Sequence, residues 1–217
     1  MLSFHNVSVG VAGVDVLRGV TFALAEGSTA ALIGRNGAGK TTTVRTVMGF
    51  TVSTGSIRFG DMDLGTVAPH KRPGLGIGYA PEDRRLFSAF TVEENILLPA
   101  RVGALDQAET QRRLDRIYAI MPELAELKAR PAGSVSGGQG KMVALGRALM
   151  LGTKLVMLDE PFQGLAPVLA QRYAEALKRL RAQDSTITLL ITESNPKLLT
   201  AFADVTLTIE RGEISIA

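Results

Sequence analysis

The decisive stretch of this sequence covers residues 34–42, Gly34-Arg35-Asn36-Gly37-Ala38-Gly39-Lys40-Thr41-Thr42. Residues 34–41 match the pattern G-x-x-x-x-G-K-[ST] at every position, and Thr42 follows directly. The apolar run Thr29–Ile33 before it predicts a buried parallel strand, and residues 40–48 predict a helix. Glycines let successive backbone N–H groups turn towards phosphates, and the helix presents its positive end to them. A chance glycine-rich turn is the alternative, but the order strand, loop, helix favours a phosphate-binding loop.

Two side chains of this loop predict its ligand. Lys40 is expected to reach the β- and γ-phosphates of a nucleotide, and Thr41 to offer its hydroxyl to Mg²⁺. We therefore expect ATP and Mg²⁺ to bind here. The residues expected to contact the nucleotide are Gly34, Asn36, Gly37, Ala38, Gly39, Lys40, Thr41 and Thr42.

Composition limits the class of protein. The 217 residues are 46% hydrophobic and 21% charged, which suits one α/β domain with a full core and a small inserted subdomain. The net charge of +3 is not gathered into a basic block, so we expect no nucleic-acid partner. Cysteine is absent, which excludes disulfides and thiolate metal sites. No apolar run approaches the roughly 20 residues of a membrane-spanning helix, so any membrane role is expected to come through a partner.

The remaining pattern predicts how the chain is organised. Residues 2–9 and 14–24 alternate as antiparallel strands do, and residues 154–158 and 186–191 predict buried strands. Between residues 88 and 150 the pattern is helical and is punctuated by prolines. We expect a single domain over residues 1–217. Residues 1–87 and 151–217 would form its core and β subdomain, and residues 88–150 a helical subdomain.

An acidic pair ends the strand predicted at residues 154–158. Four apolar residues lead directly into Asp159 and Glu160. Asp159 is expected to hold Mg²⁺ through water, and Glu160 to polarise the attacking water, because a carboxylate tied to a metal is a weak base. The alternative is a strand that ends in surface acids without a chemical role.

A second glycine turn, Ser136-Gly137-Gly138-Gln139, opens the helix predicted over residues 137–150. Ser136 can cap this helix, and the glycines allow a phosphate to approach its N-terminus. Most turns of this kind are helix caps and nothing more. The position of this one, roughly 20 residues before Asp159, makes it more specific.

In this order and spacing, the three motifs resemble the ATP-binding cassette family over nearly the whole chain. The resemblance implies an α/β fold: a P-loop NTPase core with an antiparallel β subdomain and an inserted helical subdomain. It also implies a second cassette subunit, in a homo- or heterodimer arranged head to tail. Ser136 and Gly138 of one subunit, with Gly137 and Gln139 beside them, would close on the γ-phosphate held by Lys40 of the other.

Finer details resemble one branch of the family. Residues 79–87 carry Glu82 where most cassettes have glutamine. Two further segments have the same likeness: residues 146–149 and the Gly-Leu-Ala-Pro loop at residues 164–167. Together with Glu82, they resemble the corresponding segments in ATPase subunits of bacterial importers for branched-chain amino acids, and of their relatives for urea and amides. The resemblance implies that Glu82 contacts the metal, and that the segment from Glu82 to Asn95 contacts membrane permease subunits.

Two positions depart from the family pattern. Val11 stands where an aromatic residue stacks on adenine, so we expect only dispersion contact there. Ser194 stands where a switch histidine, or a glutamine in the importer branch, assists catalysis, and we expect the shorter serine to be less effective. The branch also usually continues into a short helix after the last strand, whereas this sequence ends at Ala217.

The favoured function is that of a cytoplasmic ATPase subunit, peripheral on the inner face of the cell membrane, in an importer for branched-chain or other hydrophobic amino acids. One alternative is a regulatory cassette that binds ATP but hydrolyses it weakly; Val11 and Ser194 favour it, and Glu160 argues against it. The other is a cassette ATPase of DNA repair or translation. Such proteins usually carry two cassettes or a long coiled-coil insertion, and this sequence has neither feature.

Overall fold

The computed structural model describes residues 1–199 and 202–216. Its strands are β1 Leu2–Val11, β2 Val14–Leu24, β3 Thr29–Ile33, β4 Thr54–Phe59, β5 Met62–Asp63, β6 Ile77–Ala80, β7 Leu155–Asp159, β8 Thr188–Glu193, β9 Val205–Glu210 and β10 Glu213–Ile216. Its α-helices are α1 Lys40–Val47, α2 Val92–Val102, α3 Gln107–Ile120, α4 Pro122–Leu127, α5 Gly137–Leu151 and α6 Pro167–Gln183.

The strands form two sheets of different kinds. An antiparallel sheet has the order β2-β1-β4-β5, and a larger sheet has the order β10-β9-β3-β8-β7-β6. In the larger sheet the neighbours from β9 to β6 are parallel, and β10 pairs antiparallel with β9 at the edge. The α/β fold expected from the sequence is confirmed. Because parallel strands end at the same edge, the segments after β3, β7 and β8 are brought together there.

Strand β3 lies between two hydrophobic cores. Ala30 and Leu32 pack into a core that β3 shares with the antiparallel sheet and α1. Ala31 points the other way, into the core beneath α5 and α6. Both faces of this strand are therefore covered, which explains why its sequence is apolar throughout.

Helices α2 to α5 follow β6 and precede β7 with no strand between them, where a helical insertion was predicted. The division at residues 88 and 150 stays a prediction. The short elements β5 and α4 were not predicted, because neither is long enough to show a periodic pattern. The strand predicted at residues 186–191 was displaced: β8 begins at Thr188, since Asp184 holds Thr186 in a turn.

Within residues 1–199 and 202–216, none of the helices combines the length and the apolar character needed to cross a membrane.

Candidate functional site

Two glycines of the loop between β3 and α1, Gly34 and Gly39, leave no space for side chains. A Cβ on Gly34 would lie 2.5 Å from the Ile209 carbonyl oxygen. Gly39 has a φ of 115°, and a Cβ there would lie 2.9 Å from Cδ2 of Leu17. The Gly212 N–H donates to the Ala38 carbonyl at 3.2 Å, so the β9–β10 turn supports the loop. The backbone at Gly34 and Gly39 is therefore packed closely against β9 and β2, which fixes the shape of the loop.

Helix α1 begins directly after this loop and has no side-chain cap at its N-terminus. In contrast, side chains cap the first turns of α2, α3 and α5. The first N–H groups of a helix have no partner within it, and they carry the positive end of the helix dipole. The start of α1 therefore fits a phosphate.

Lys40, at the start of α1, is buried with only 3% of its surface exposed. Its Nζ donates to the Gly34 carbonyl at 2.7 Å and to the Arg35 carbonyl at 3.1 Å. It also lies 3.0 Å from Oε1 of Glu160, which forms a buried ion pair with it. The ammonium group therefore lies where the loop, the helix and the end of β7 meet.

Thr41 and Asp159 face each other across the same edge, with the Thr41 hydroxyl donating to Oδ1 of Asp159 at 3.1 Å. The carboxylate also accepts from Thr192 at 2.8 Å and from Tyr79 at 3.3 Å. Burial raises the pKa of Asp159, and these three donors oppose that shift. A hydroxyl and a carboxylate are oxygen ligands of the kind that suit Mg²⁺, which keeps waters and phosphate oxygens as its other ligands. The residues present therefore fit the predicted ion.

Glu160 follows Asp159 and is 5% exposed. Its Oε1 is held by Lys40, whereas its Oε2 is buried with no hydrogen-bond partner among the described residues. Buried carboxylate oxygens are normally paired. Oε2 therefore keeps its capacity to accept a hydrogen bond, and the role of Glu160 as the base stays a prediction.

Ser194 follows β8 and lies beside these groups. Its hydroxyl is 2.7 Å from Oδ1 of Asn36 and 3.2 Å from Oε1 of Glu160, and it can accept from Lys40 at 3.1 Å. Its single proton can serve one of the two acceptors, and the shorter distance favours Asn36. Residues from three separately predicted segments are thus brought together: Asn36 and Lys40 of the phosphate loop, Glu160 and Ser194.

The Ser136 turn is built as a closed capping box. The Ser136 hydroxyl accepts the Gln139 N–H at 3.2 Å, and the Gln139 side chain accepts the Ser136 N–H at 2.9 Å. The interior glycine, Gly138, has no room for a side chain because Leu165 and Leu169 pack against it. The predicted cap is confirmed. None of the described hydrogen bonds of Ser136 or Gln139 reaches the phosphate loop, so the two turns are not joined within one chain.

The two remaining predicted residues lie at the margins. Glu82 is exposed and lines a cleft that also includes Thr41 and Asp159. The described residues contain no cluster of three or more acidic or histidine side chains that could hold a metal, so a metal contact by Glu82 stays a prediction. Val11 is 47% exposed and pairs with Val14 across the β1–β2 turn. Its contact with adenine also stays a prediction.

Four residues that surround this site were not predicted from the sequence: Tyr79, Lys141, Thr192 and Glu193. Of these, Glu193 left a usable signal, because it is an acid at the end of a buried strand, as Asp159 is. The strand was predicted to end at residue 191, so Glu193 was not recognised as its last residue. The contacts of Tyr79 and Lys141 depend on long-range packing, which no local pattern encodes.

Comparisons with known proteins agree with this geometry. A family model described as ABC transporter matches residues 17–163. The high-affinity branched-chain amino acid transport ATP-binding protein BraG of Pseudomonas aeruginosa is 36% identical over 215 residues, covering 99% of this chain and 91% of BraG. The probable branched-chain amino acid transport ATP-binding protein LivF of Archaeoglobus fulgidus is 31% identical over 216 residues, covering 99% of this chain and 90% of LivF.

A third relative has a different cargo in its name. The lipopolysaccharide export system ATP-binding protein LptB of Escherichia coli is 30% identical over 216 residues, covering 98% of this chain and 88% of LptB. Among solved structures, the ADP conformation of MJ1267, an ATP-binding cassette of an ABC transporter, has a TM-score of 0.85 and 28% identity, covering 99% of this chain and 89% of that one. The matched span of the family model includes the phosphate loop, the Ser136 turn and the acidic pair. The chain therefore belongs to the ATP-binding cassette (ABC) transporter family, and it is an ATPase.

Proposed function

We propose that this ATPase is the energy-coupling subunit of an importer for branched-chain or other hydrophobic amino acids, held in the cytoplasm at the inner face of the membrane by permease subunits. The observation that carries the ATPase site is the buried Glu160 beside Lys40 at the end of β7. The choice of solute rests on the likeness to BraG and LivF. The likeness to LptB makes an export role the competing possibility.

Each residue of the proposed site has a separate role in ATP hydrolysis. The N–H groups at the start of α1 bind the phosphates, and Lys40 leaves Glu160 to contact the γ-phosphate. Charge-assisted bonds of this kind contribute about 1.5–3 kcal/mol each. Glu160, released from its ion pair, accepts the proton of the attacking water, a contribution of about 10²–10⁴-fold. When bound, Mg²⁺ supplies charge neutralisation, and Thr41 and Asp159 are the residues that would hold it.

The cleft beside the site suits a segment of a permease subunit. It has a volume of about 870 Å³ and lies between α1 and the helical region. Phe87 lines it with 51% of its surface exposed, and stacks on Phe90 at a ring separation of 5.4 Å. Phe50 and Val102, also exposed, line the same cleft. Exposed apolar groups in a concave surface are typical of binding sites, and the proposed occupant is a short amphipathic permease segment.

The decisive test of the site is ATP turnover by the purified chain and by Glu160→Gln. We expect the variant to retain ATP affinity, to lose about 10²–10⁴-fold in turnover, and to accumulate as an ATP-bound dimer on size exclusion. A wild-type chain that binds ATP but does not turn it over, even with its permease subunits, would favour the regulatory cassette. Wild-type turnover in Glu160→Gln would remove Glu160 from the role of base.

The solute and the docking cleft need the membrane partners. The chain should be reconstituted in proteoliposomes with the permease subunits encoded beside it, and ATP-dependent leucine uptake measured. Uptake of leucine supports the import proposal, whereas its absence with active ATPase contradicts it. Phe87→Ser should reduce co-purification of the permease subunits, and unchanged co-purification would contradict the proposed docking cleft.

A further inference from the structure

The backbone at Glu160 has a conformation that its own sequence does not favour. Its φ is 45°, in the left-handed region that residues other than glycine rarely adopt. Such a conformation persists only where neighbouring groups impose it. The Glu160 N–H is held by the carbonyl and the hydroxyl of Thr192, both at 3.1 Å, and its carbonyl accepts from Nζ of Lys141 at 2.5 Å. The orientation of the predicted base therefore depends on β8 and α5.

Glu193 holds the chain immediately beyond this turn. Its Oε1 accepts the N–H of Phe162 at 2.8 Å, in a fully buried hydrogen bond. The Phe162 ring packs edge-on against the Tyr173 ring of α6, so Phe162 is also held from the side of that helix. The Glu193 carbonyl also accepts the N–H of Gly34, the first residue of the phosphate loop, at 3.2 Å. A single residue thus connects the phosphate loop, the segment after Glu160, and Ser194.

Glu193 and Lys141 are also related by charge. Glu193 is 4% exposed, and burial raises its pKa to about 7. The groups that influence its charge are Glu160 at the end of β7, Lys141 on α5 and Tyr173 on α6. Burial lowers the pKa of Lys141, and the carboxylates of Glu193, Glu82 and Glu160 oppose that shift. Lys141 is therefore a cation placed among acids, on the helix that begins at the Ser136 turn.

We propose that Glu193 is a positioning residue for Glu160, and that Lys141 is its counterpart on α5. Glu193 fixes Phe162 from the side of β8, and Lys141 fixes the Glu160 carbonyl from the side of the helical region. Together they hold the left-handed turn that directs the Glu160 carboxylate towards Lys40. This inference rests on the proposed role of Glu160 as the base.

The test compares two substitutions of Glu193 with side chains of similar size, of which only one can still accept a hydrogen bond. Glu193→Gln keeps an acceptor for the Phe162 N–H, and Glu193→Leu removes it. We expect Glu193→Leu to lower kcat about 10–100-fold with the ATP Kd changed less than about twofold, because a misplaced catalytic group costs up to about 10²-fold. Glu193→Gln should stay within about threefold of wild type. Val7→Ala, a core variant in the antiparallel sheet, controls for general loss of stability.

Lys141 provides the second arm, which also applies if Glu193→Leu does not fold. Lys141→Met should lower kcat about tenfold, and Lys141→Arg should restore most of it, since a guanidinium can still donate to the carbonyl. Unchanged kcat in Glu193→Leu and Lys141→Met, while Glu160→Gln is strongly slowed, would overturn this inference alone. Equal loss in Glu193→Gln and Glu193→Leu would also overturn it. Wild-type turnover in Glu160→Gln would instead remove the proposed base, and this inference with it.

Discussion

The two glycine turns of this chain are prepared for phosphate in different ways. At the phosphate loop, α1 begins without a side-chain cap, and Lys40 is already paired with Glu160. At the Ser136 turn, the serine and Gln139 close a capping box and bond to no residue of the phosphate loop. The first turn therefore leaves the backbone N–H groups at the start of α1 without a side-chain cap among the described residues, whereas the second is self-contained until another surface approaches.

The capping box does not use all of the Ser136 side chain. Its hydroxyl accepts the Gln139 N–H, and a hydroxyl that accepts one bond still has its own proton to donate. The described residues give that proton no acceptor. A turn that is rigid, capped and still able to donate is suited to contact a phosphate brought by a second subunit. The difference between the turns thus supports the composite site that the family resemblance implies.

The largest expected effect comes from breaking the second turn. Ser136→Arg should abolish turnover, by about 100-fold or more, and leave the ATP affinity of the monomer within about twofold, because only the assembled site is blocked. Ser134→Arg, at a nearby exposed serine, is the matched control. Turnover and calorimetric ATP affinity measure the two quantities. Normal hydrolysis by Ser136→Arg would mean that this turn is a helix cap only.

The pH dependence of the free energy of unfolding tests Glu193, whose carbonyl accepts the N–H of Gly34 in the phosphate loop. Burial raises the pKa of Glu193 from 4.5 to about 7, so the folded chain binds this proton more tightly than the unfolded chain does. The stability it contributes is complete below about pH 4.5 and is lost as the pH rises through about 7, a difference of about 3 kcal/mol. In urea titrations, Glu193→Gln should lack this part of the decline between pH 5 and pH 8. Parallel declines in both proteins would contradict the raised pKa.

Lys40→Ala tests the first turn directly. The ATP Kd should rise by about 10–150-fold, since one charge-assisted contact of about 1.5–3 kcal/mol is lost. The variant also leaves Glu160 buried without its cation, which destabilises the fold. Adding Glu160→Gln to Lys40→Ala should recover part of that stability without restoring ATP affinity. Unchanged calorimetric affinity in Lys40→Ala would contradict the phosphate-loop assignment.

The sequence predicted what local patterns encode and missed what packing creates. The phosphate loop, the acidic pair and the Ser136 cap were predicted because each is a short run of neighbouring residues. Arg72 was not, since its guanidinium is buried and donates to carbonyls of Thr46 and Val47 at the end of α1. Lys141 was not predicted either, because its contact with the Glu160 carbonyl joins a helix to the end of a strand 19 residues further along the chain.

The smallest expected effect concerns Ser194, an exposed residue that contacts Asn36 and Lys40 of the phosphate loop. Its hydroxyl links Asn36 with the Lys40–Glu160 pair in the nucleotide-free arrangement. A histidine side chain is longer than that of serine. Because position 194 is exposed, a histidine there would have space to reach the γ-phosphate. We expect Ser194→His to raise kcat by a few-fold, because one additional donor contributes about 1 kcal/mol. Ser194→Ala, the matched control, removes the link without adding reach and should leave kcat at or slightly below that of wild type. Steady-state turnover at saturating ATP measures both, and a flat or lower rate in Ser194→His would mean that the attacking water is ordered by another group.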